Sequence, residues 1–213
     1  FLLNNDVVVL ENIDPNLTVL QYLRDERFKS GTKEGCASGD CGACTVVLAE
    51  LSEDNQTLNY KSINACISFV GCLHGKQLIT VEHLKQGAKL HHVQQAMVDN
   101  HGSQCGFCTP GFVMSSFALH KQNNTPDRAQ VLEALAGNLC RCTGYRSIID
   151  AALTSSQHAE ADSFEQHYQQ TLRQLIDFKS LPSAQFSYAE HHYFAPKTVK
   201  INLARMLPNS NCV

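Results

Sequence analysis

Eight of the chain's ten cysteines fall into two groups of four, Cys36/Cys41/Cys44/Cys66 and Cys105/Cys108/Cys140/Cys142, each spaced as a metal site. Thiolates in fours hold either zinc or an iron–sulfur cluster, and spacing separates the two in the first group. Cys36-x4-Cys41-x2-Cys44 with a later Cys66 is the plant-type spacing for a 2Fe-2S cluster. Structural zinc usually takes two close pairs, whereas three neighbouring cysteines wrap one side of a larger inorganic core. Gly35, Gly39 and Gly42 lie between and beside these ligands. They let the backbone reach positive φ and turn N–H groups onto sulfur, which raises a cluster's reduction potential.

The second group, Cys105-x2-Cys108 and Cys140-x-Cys142, is two close pairs, so by spacing alone zinc stays open beside a cluster. Its setting favours the cluster. Thr109-Pro110 reads as a helix start, with Thr as N-cap and Pro at the first helical position, before Phe112, Val113, Ser116 and Phe117. Thr125-Pro126 repeats the device before Val131, Leu132, Leu135 and Leu139, which lead down to Cys140. Each cysteine pair then sits at a helix end, and packing the helices brings the pairs together. Two such centres in one small protein pass single electrons between sites that the chain does not itself complete.

The elements that position these residues change character along the chain. Val7–Leu10 reads as a short strand, and Thr18 to Gln21 as a capping box, with a staple from Leu17 to Tyr22, opening a helix to about Arg27. Strands follow at Thr45–Leu48, near Leu58–Ile63 and at Leu78–Val81. One helix across a small mixed sheet is an α+β arrangement. Beyond Leu84 the pattern is helical, at His92–Asn100, Pro110–Lys121, Pro126–Ala136 and Arg146–Ser155, enough for a small bundle. Phe164, Tyr168, Leu172 and Leu175 lie at helical spacing in a polar stretch read as a surface helix or linker.

Composition bounds the partners. The 213 residues carry net charge −3 with no basic stripe for nucleic acid, and 43% hydrophobic content suffices for a core in each of two domains. No apolar run is long enough to span a membrane. Phe1–Leu10 is broken by Asn4, Asn5 and Asp6 and has no basic flank, so no secretory segment is read there. Reduced, metal-ligating cysteines in a cytoplasmic protein are the expectation.

Three stretches carry a family resemblance: Glu34-Gly35-Cys36-Ala37-Ser38-Gly39-Asp40-Cys41-Gly42-Ala43-Cys44, Gly102-Ser103-Gln104-Cys105-Gly106-Phe107-Cys108-Thr109-Pro110-Gly111 and Gly137-Asn138-Leu139-Cys140-Arg141-Cys142-Thr143-Gly144-Tyr145-Arg146. They resemble the iron–sulfur part of the molybdenum hydroxylases, the xanthine oxidase family, and most of all the small iron–sulfur and flavin subunit of its bacterial dehydrogenases. The resemblance covers about residues 1–155, and Phe194-Ala195-Pro196-Lys197 also resembles the start of that subunit's FAD domain.

The resemblance implies a ferredoxin-like β-grasp domain over residues 1–84 and a four-helix-bundle 2Fe-2S domain over 85–156. A linker over 157–192 and the opening of an incomplete FAD-binding domain over 193–213 would follow. It implies that the cluster on Cys105, Cys108, Cys140 and Cys142 lies nearer a molybdenum cofactor held by a separate large subunit, and the cluster on Cys36, Cys41, Cys44 and Cys66 nearer FAD. Gln104 matches a glutamine that reaches the pterin of the molybdenum cofactor, and Cys142 the cluster ligand nearest it. A substrate is hydroxylated at molybdenum with oxygen from water, and the electrons leave one at a time through both clusters to FAD and on to NAD. Purine, aldehyde, nicotinate and carbon monoxide enzymes share these motifs, so the chain does not choose its substrate. A hetero-oligomer with the large subunit is implied, the chain itself contributing no catalytic residue.

Departures and leftovers complete the reading. The chain opens at Phe1 rather than methionine and stops at Val213 before any glycine-rich flavin cradle, as a piece of a longer protein would. His92 and Ser147 stand where the family often has proline. Cys72 and Cys212 read as free thiols, Cys72 buried in the apolar run Phe69–Leu73. His91/His92 and His191/His192 read as solvated or capping residues, since helical neighbours diverge by about 100° and cannot easily share a metal. Thr143, Tyr145 and Arg146 are expected to close the second pocket and start the next helix. A free-standing two-cluster ferredoxin and a zinc-stapled interaction module are the competing readings.

Overall fold

The computed structural model describes residues 1–155 and 161–195. Its main sheet has five strands, β1 (Leu2–Leu3), β2 (Asp6–Val7), β3 (Thr45–Leu51), β4 (Leu58–Asn64) and β5 (Gln77–Ile79), in the order β2-β1-β5-β3-β4. Only β1 and β5 run parallel. The remaining secondary structure is helical apart from a hairpin of β6 (Gln185–Tyr188) and β7 (His191–Phe194). The fold class is α+β, as the sequence predicts.

Alternation along the strands decides which side each residue serves. Val46 and Leu48 of β3, Leu3 and Leu78 face a core built on Val19, Leu20, Tyr22 and Leu23. Val47 and Ala49 of the same strand, with Leu2, Leu58, Tyr60 and Ile79, face the helices that follow. The two sides of one sheet therefore belong to two cores, and the helical half is packed onto the back of the sheet rather than tethered beside it. Two cores form, and the second borrows one wall from the sheet, a sharing that composition does not show. Its cause is the apolar run Val46–Ala49, which fills both faces.

The first helix, α1 (Val19–Gln21), is started by the predicted capping box: Thr18 Oγ1 accepts from Gln21 N at 3.2 Å and Thr18 N donates to Gln21 Oε1 at 3.1 Å. It continues as a π-helix over Tyr22–Glu26 and is capped at Arg27. The strand expected at Val7–Leu10 is shorter and displaced, because Asn4, at φ 57°, turns the chain into a tight hairpin of β1 and β2. Likewise β5 ends at Ile79, and Val81–His83 form a 3-10 turn.

Four helices, α2 (His92–Asp99), α3 (Thr109–Gln122), α4 (Arg128–Leu135) and α5 (Arg146–Ser155), lie close to the predicted spans, but two caps differ. Cys108, not Thr109, is the N-cap of α3 and makes no side-chain cap; Thr109 Oγ1 donates to Ser103 Oγ at 2.8 Å instead. Asp127, not Thr125, caps α4, in a box with Gln130. Every residue from Gly111 to His120 is buried, as expected of a helix with neighbours on all sides. Phe112 and Phe117 are fully buried, each worth about 2 kcal/mol or more of apolar transfer.

The segment read as a linker folds as α6 (Ser163–Gln166) and α7 (Tyr168–Ser180), with Phe164 and Leu175 fully buried in the core shared with the sheet. Tyr168 Oη accepts from Leu58 N at 3.1 Å. A buried polar knot fastens α6. Asp162 caps it through Glu165 N at 2.8 Å and receives Lys121 Nζ at 2.7 Å and His91 Nε2 at 3.0 Å. His91 also caps α2, its Nδ1 accepting from Val93 N at 3.3 Å, so the capping reading of this pair holds for His91 while the solvated one does not. His92 packs between His91 and His120, with ring centroids at 4.0 and 4.9 Å, and its Nε2 is buried without a hydrogen-bond partner among the described residues.

His92→Pro is therefore expected to stabilise the protein. His92 is the first residue of α2, where proline is favoured, and His91 already has the extended backbone (φ −62°, ψ 148°) that a following proline demands. The gain should be ~1 kcal/mol, a rise of about 2–4 °C in the melting temperature by calorimetry.

Two further expectations are settled here. Cys72 is exposed, not buried, since the 3-10 turn Val70–Leu73 points Val70, Gly71 and Leu73 inward and leaves Cys72 outside, 4.0 Å from Tyr193 Oη. His191 and His192 are exposed on β7. Cys212, and all of the expected flavin-domain opening beyond Ala195, lie outside the described residues.

Candidate metal centres

Pairing of β3 with β4 sets Thr45 opposite Asn64, which brings Cys44, just before one strand, to Cys66, just after the other. The loop before β3 supplies Cys36 and Cys41. Gly39 (φ 83°) and Gly42 (φ 67°) adopt the left-handed conformation anticipated from the sequence, and so does Ala37 (φ 55°), which was not anticipated and is strained there. The result is a ring of donors around Cys36 Sγ, which accepts from the N–H groups of Ser38 (3.4 Å), Asp40 (3.3 Å) and Cys41 (3.4 Å). Hydrogen bonds from Ser38, then from Cys41, lower the exposed Cys36 thiol to about 6. Burial pushes the Cys44 thiol up to about 12, with a hydrogen bond to Cys66 adding to the rise.

The second group is built by the start of α3 and the loop between α4 and α5. Burial, and next its bond to Cys140, pushes the Cys108 thiol up to about 12. Burial also acts against the Cys140 thiolate, but the hydroxyl and N–H of Thr143 outweigh it and hold the thiol below its usual value. Thr143 Oγ1 lies 3.1 Å and Thr143 N 3.4 Å from Cys140 Sγ, and Cys140 N donates to Tyr145 Oη at 2.9 Å. Thr143 and Tyr145 thus close the pocket as expected, and Arg146 begins α5. Cys105 is lowered, first by the Phe107 N–H and then by the Cys142 thiol; Cys142 is raised by donating that bond.

Within each predicted quartet the thiols lie near enough to shift one another: Cys41 acts on Cys36, Cys66 and Cys41 on Cys44, Cys142 and Cys140 on Cys105, and Cys140 and Cys105 on Cys108. Among the described residues no three His, Cys, Asp or Glu side chains converge as ligands of a single ion. A donor set of four sulfurs fits two irons, each taking two thiolates. A bound cluster would displace the protons that the buried Cys44 and the half-buried Cys108 otherwise hold. Gly35 makes room for this: a methyl there would sit 2.7 Å from Cys41 Sγ and 3.6 Å from the Phe107 ring.

The two centres adjoin. Leu139 N donates to Cys41 O at 3.0 Å, so the loop holding Cys140 is bonded to a residue of the first quartet. Asn138 Nδ2 donates to Gly42 O (3.0 Å) and Thr45 Oγ1 (3.2 Å), while its Oδ1 accepts from Ser115 Oγ at 2.6 Å. A methyl on Gly111 would lie 2.2 Å from Gly42 O, and one on Gly42 would lie 2.4 Å from Gly137 O. Sequence reasoning missed this seam: Leu139 was grouped with the apolar residues leading down to Cys140, but it lies past the end of α4 at Leu135 and is exposed. The signal available was Asn138 itself, a polar residue between Gly137 and Leu139 in the motif.

Gln104 is exposed in the bend beside Cys105, and Cys142 is exposed as well. A cavity of about 820 Å³ beside His91, His92, Asp99 and Asp162 is lined by no cysteine. No helix of the described residues is long and apolar enough to cross a membrane.

Comparison with known proteins addresses the same two regions. Residues 3–71 match a family described as a 2Fe-2S iron-sulfur cluster binding domain, and residues 80–153 match a 2Fe-2S binding domain. The chain is 49% identical over 152 residues to a xanthine dehydrogenase of Emericella nidulans, covering 71% of this chain and 11% of that protein. It is 44% identical over 155 residues to aldehyde oxidase 1 of Rattus norvegicus, covering 72% and 12%. It therefore spans only about a tenth of the length of these curated relatives. Among solved structures, a chain of quinoline 2-oxidoreductase from Pseudomonas putida 86 superposes with a TM-score of 0.60 at 35% identity over 68% of this chain and 85% of that one. The aldehyde oxidoreductase of Desulfovibrio gigas gives 0.60 and 35%, over 68% of this chain and 15% of that one.

Proposed function

The chain belongs to the xanthine oxidase family of molybdenum hydroxylases and carries the family's two 2Fe-2S-binding domains, and from this premise we propose that it is the electron-transfer part of a xanthine dehydrogenase-like enzyme. Electrons enter from a molybdenum cofactor held by a large partner and leave singly toward FAD and then NAD. The carrying observation is that the loops bearing the two all-cysteine sets adjoin through Leu139 N and Cys41 O. Each 2Fe-2S cluster, when bound, accepts and releases one electron at a time.

The residues have distinct tasks in this reading. Cys36, Cys41, Cys44 and Cys66 hold the cluster nearer FAD, in a ferredoxin-like β-grasp domain over 1–84. Cys105, Cys108, Cys140 and Cys142 hold the cluster nearer molybdenum, in a four-helix bundle over 85–156. The N–H groups on Cys36 Sγ and the Thr143 groups on Cys140 Sγ stabilise the added negative charge on reduction. Gln104 and Cys142, both exposed, would meet the pterin of the partner's cofactor. Residues 157–192 connect to an FAD-binding domain that opens at 193–213. Reduced thiolates suit a cytoplasmic setting, and the assembly is a hetero-oligomer.

Similar likeness to aldehyde oxidases supports a second reading of the substrate, an aldehyde in place of a purine. It alters nothing in this chain's task, and the identity of the co-purifying molybdenum-bearing subunit decides between them.

Low-temperature EPR of the dithionite-reduced protein tests the proposal. Two distinct rhombic 2Fe-2S signals are expected, and Cys142→Ser should change one alone. A colourless protein with zinc and no acid-labile sulfide would end the reading, and a substitution that altered both signals alike would overturn the division of ligands.

A further inference from the structure

We propose that Asn138, oriented by Ser115, is a positioning residue that sets the rate of electron transfer between the two centres. The inference rests on reading both quartets as 2Fe-2S sites. Between a ligand of one and a ligand of the other, Cys41 and Cys140, the connection is covalent except for a single hydrogen bond, from Leu139 N to Cys41 O at 3.0 Å. Whatever fixes that bond fixes the coupling.

The Leu139 side chain cannot fix it, being 55% exposed. Its neighbours Ala136 and Gly137 are exposed too, and a methyl on Gly137 would meet nothing within 4 Å. Asn138 is the one buried residue of this loop, at 4% exposure. Its carboxamide bonds reach outside the loop: both donor bonds go to the first quartet's side, Gly42 O and Thr45 Oγ1, and the acceptor bond comes from Ser115 of α3. A buried amide is costly unless each of its groups is satisfied, so these bonds specify one register between the loops. Leucine would fill the space without specifying the register, and aspartate would lose the donor and turn an oxygen toward Gly42 O. In the transfer itself one electron leaves one cluster and enters the other; no bond forms or breaks, and the amide keeps its proton.

The experiment compares the full chain, loaded with both clusters, with Asn138→Leu and Ser115→Ala. Fully reduced samples are examined by EPR for the splitting that two nearby paramagnetic clusters impose on each other. The redistribution of electrons after a substoichiometric one-electron pulse is timed. Both variants should keep two cluster signals with unchanged g-values, while the splitting narrows and redistribution slows, more in Asn138→Leu than in Ser115→Ala. A lowered melting temperature with unaltered splitting and rate would mean a merely structural residue and overturn the proposal. If Asn138→Leu does not take up clusters, Ser115→Ala alone decides by the same two readouts. Failure of the underlying reading is visible separately, as an unmutated chain without two 2Fe-2S signals.

Discussion

Gly111→Ala should destabilise the protein by roughly 3 kcal/mol and loosen the second centre, although alanine is the better helix former by about 1 kcal/mol. The added methyl would lie 2.2 Å from Gly42 O and 3.1 Å from Asn138 Nδ2. The first of these is backbone, held on the other side by Thr45 Oγ1, which donates to it at 2.7 Å, so it cannot swing aside. Either α3 retreats from the first loop or the Asn138 bonds break. Denaturant unfolding, with the visible absorption of the loaded protein followed alongside, measures both effects. Gly137→Ala, where a methyl meets nothing within 4 Å, is the control and should stay within about 0.5 kcal/mol.

Asp162→Ala should cost ~3–5 kcal/mol, because it leaves Lys121 buried as a cation with its principal partner gone and His91 without its acceptor. Acid reaches the same region by titration. Burial, with the neighbouring His91, lowers His92 to about 3, and burial likewise lowers His120 to about 4. Both rings are therefore neutral in the folded protein while the unfolded chain protonates them near pH 6.5. The unfolded state binds more protons, so stability is whole above about pH 6.5 and falls as the pH drops toward 4 and then 3, by up to ~3 kcal/mol per pH unit. Burial opposes ionisation of Asp162, but His91 and Lys121 outweigh it and hold its carboxyl well below the usual range. Its contribution is accordingly lost only as the pH falls below the ordinary carboxylate value, steepening the same limb. Chemical denaturation between pH 7 and pH 4 checks the slope, and His92→Pro should make it shallower.

How far the sequence carried can be seen residue by residue. The first quartet was legible from spacing alone, and the Thr18 box and the four helices after Leu84 from local chemistry. These depend on neighbours in the chain. The second quartet needed its helix ends and motif to stand against zinc, and the matched 2Fe-2S family over residues 80–153 agrees with that choice. What escaped depends on tertiary contact. Ala37 in a glycine-like conformation has no local signature, and although the helical spacing of Phe164 and Leu175 and the polarity of Asn138 were visible, the core and the far loop that they meet were not. Cys72 shows the opposite failure, in which an apolar run suggested burial but a 3-10 turn presented one residue in four outward.

The alternation along β3, with Val46 and Leu48 on one side and Val47 and Ala49 on the other, has a bearing on how the protein comes into being. The sheet is a party wall with a room on each side. A chain stopped after Leu84 would present Leu2, Val47, Ala49, Leu58, Tyr60 and Ile79 to water, and a chain starting there would have nothing to lean on. The room on the Val46 side is furnished entirely by residues before Leu84, whereas the helices' room borrows one wall from the sheet, so the dependence runs in one direction.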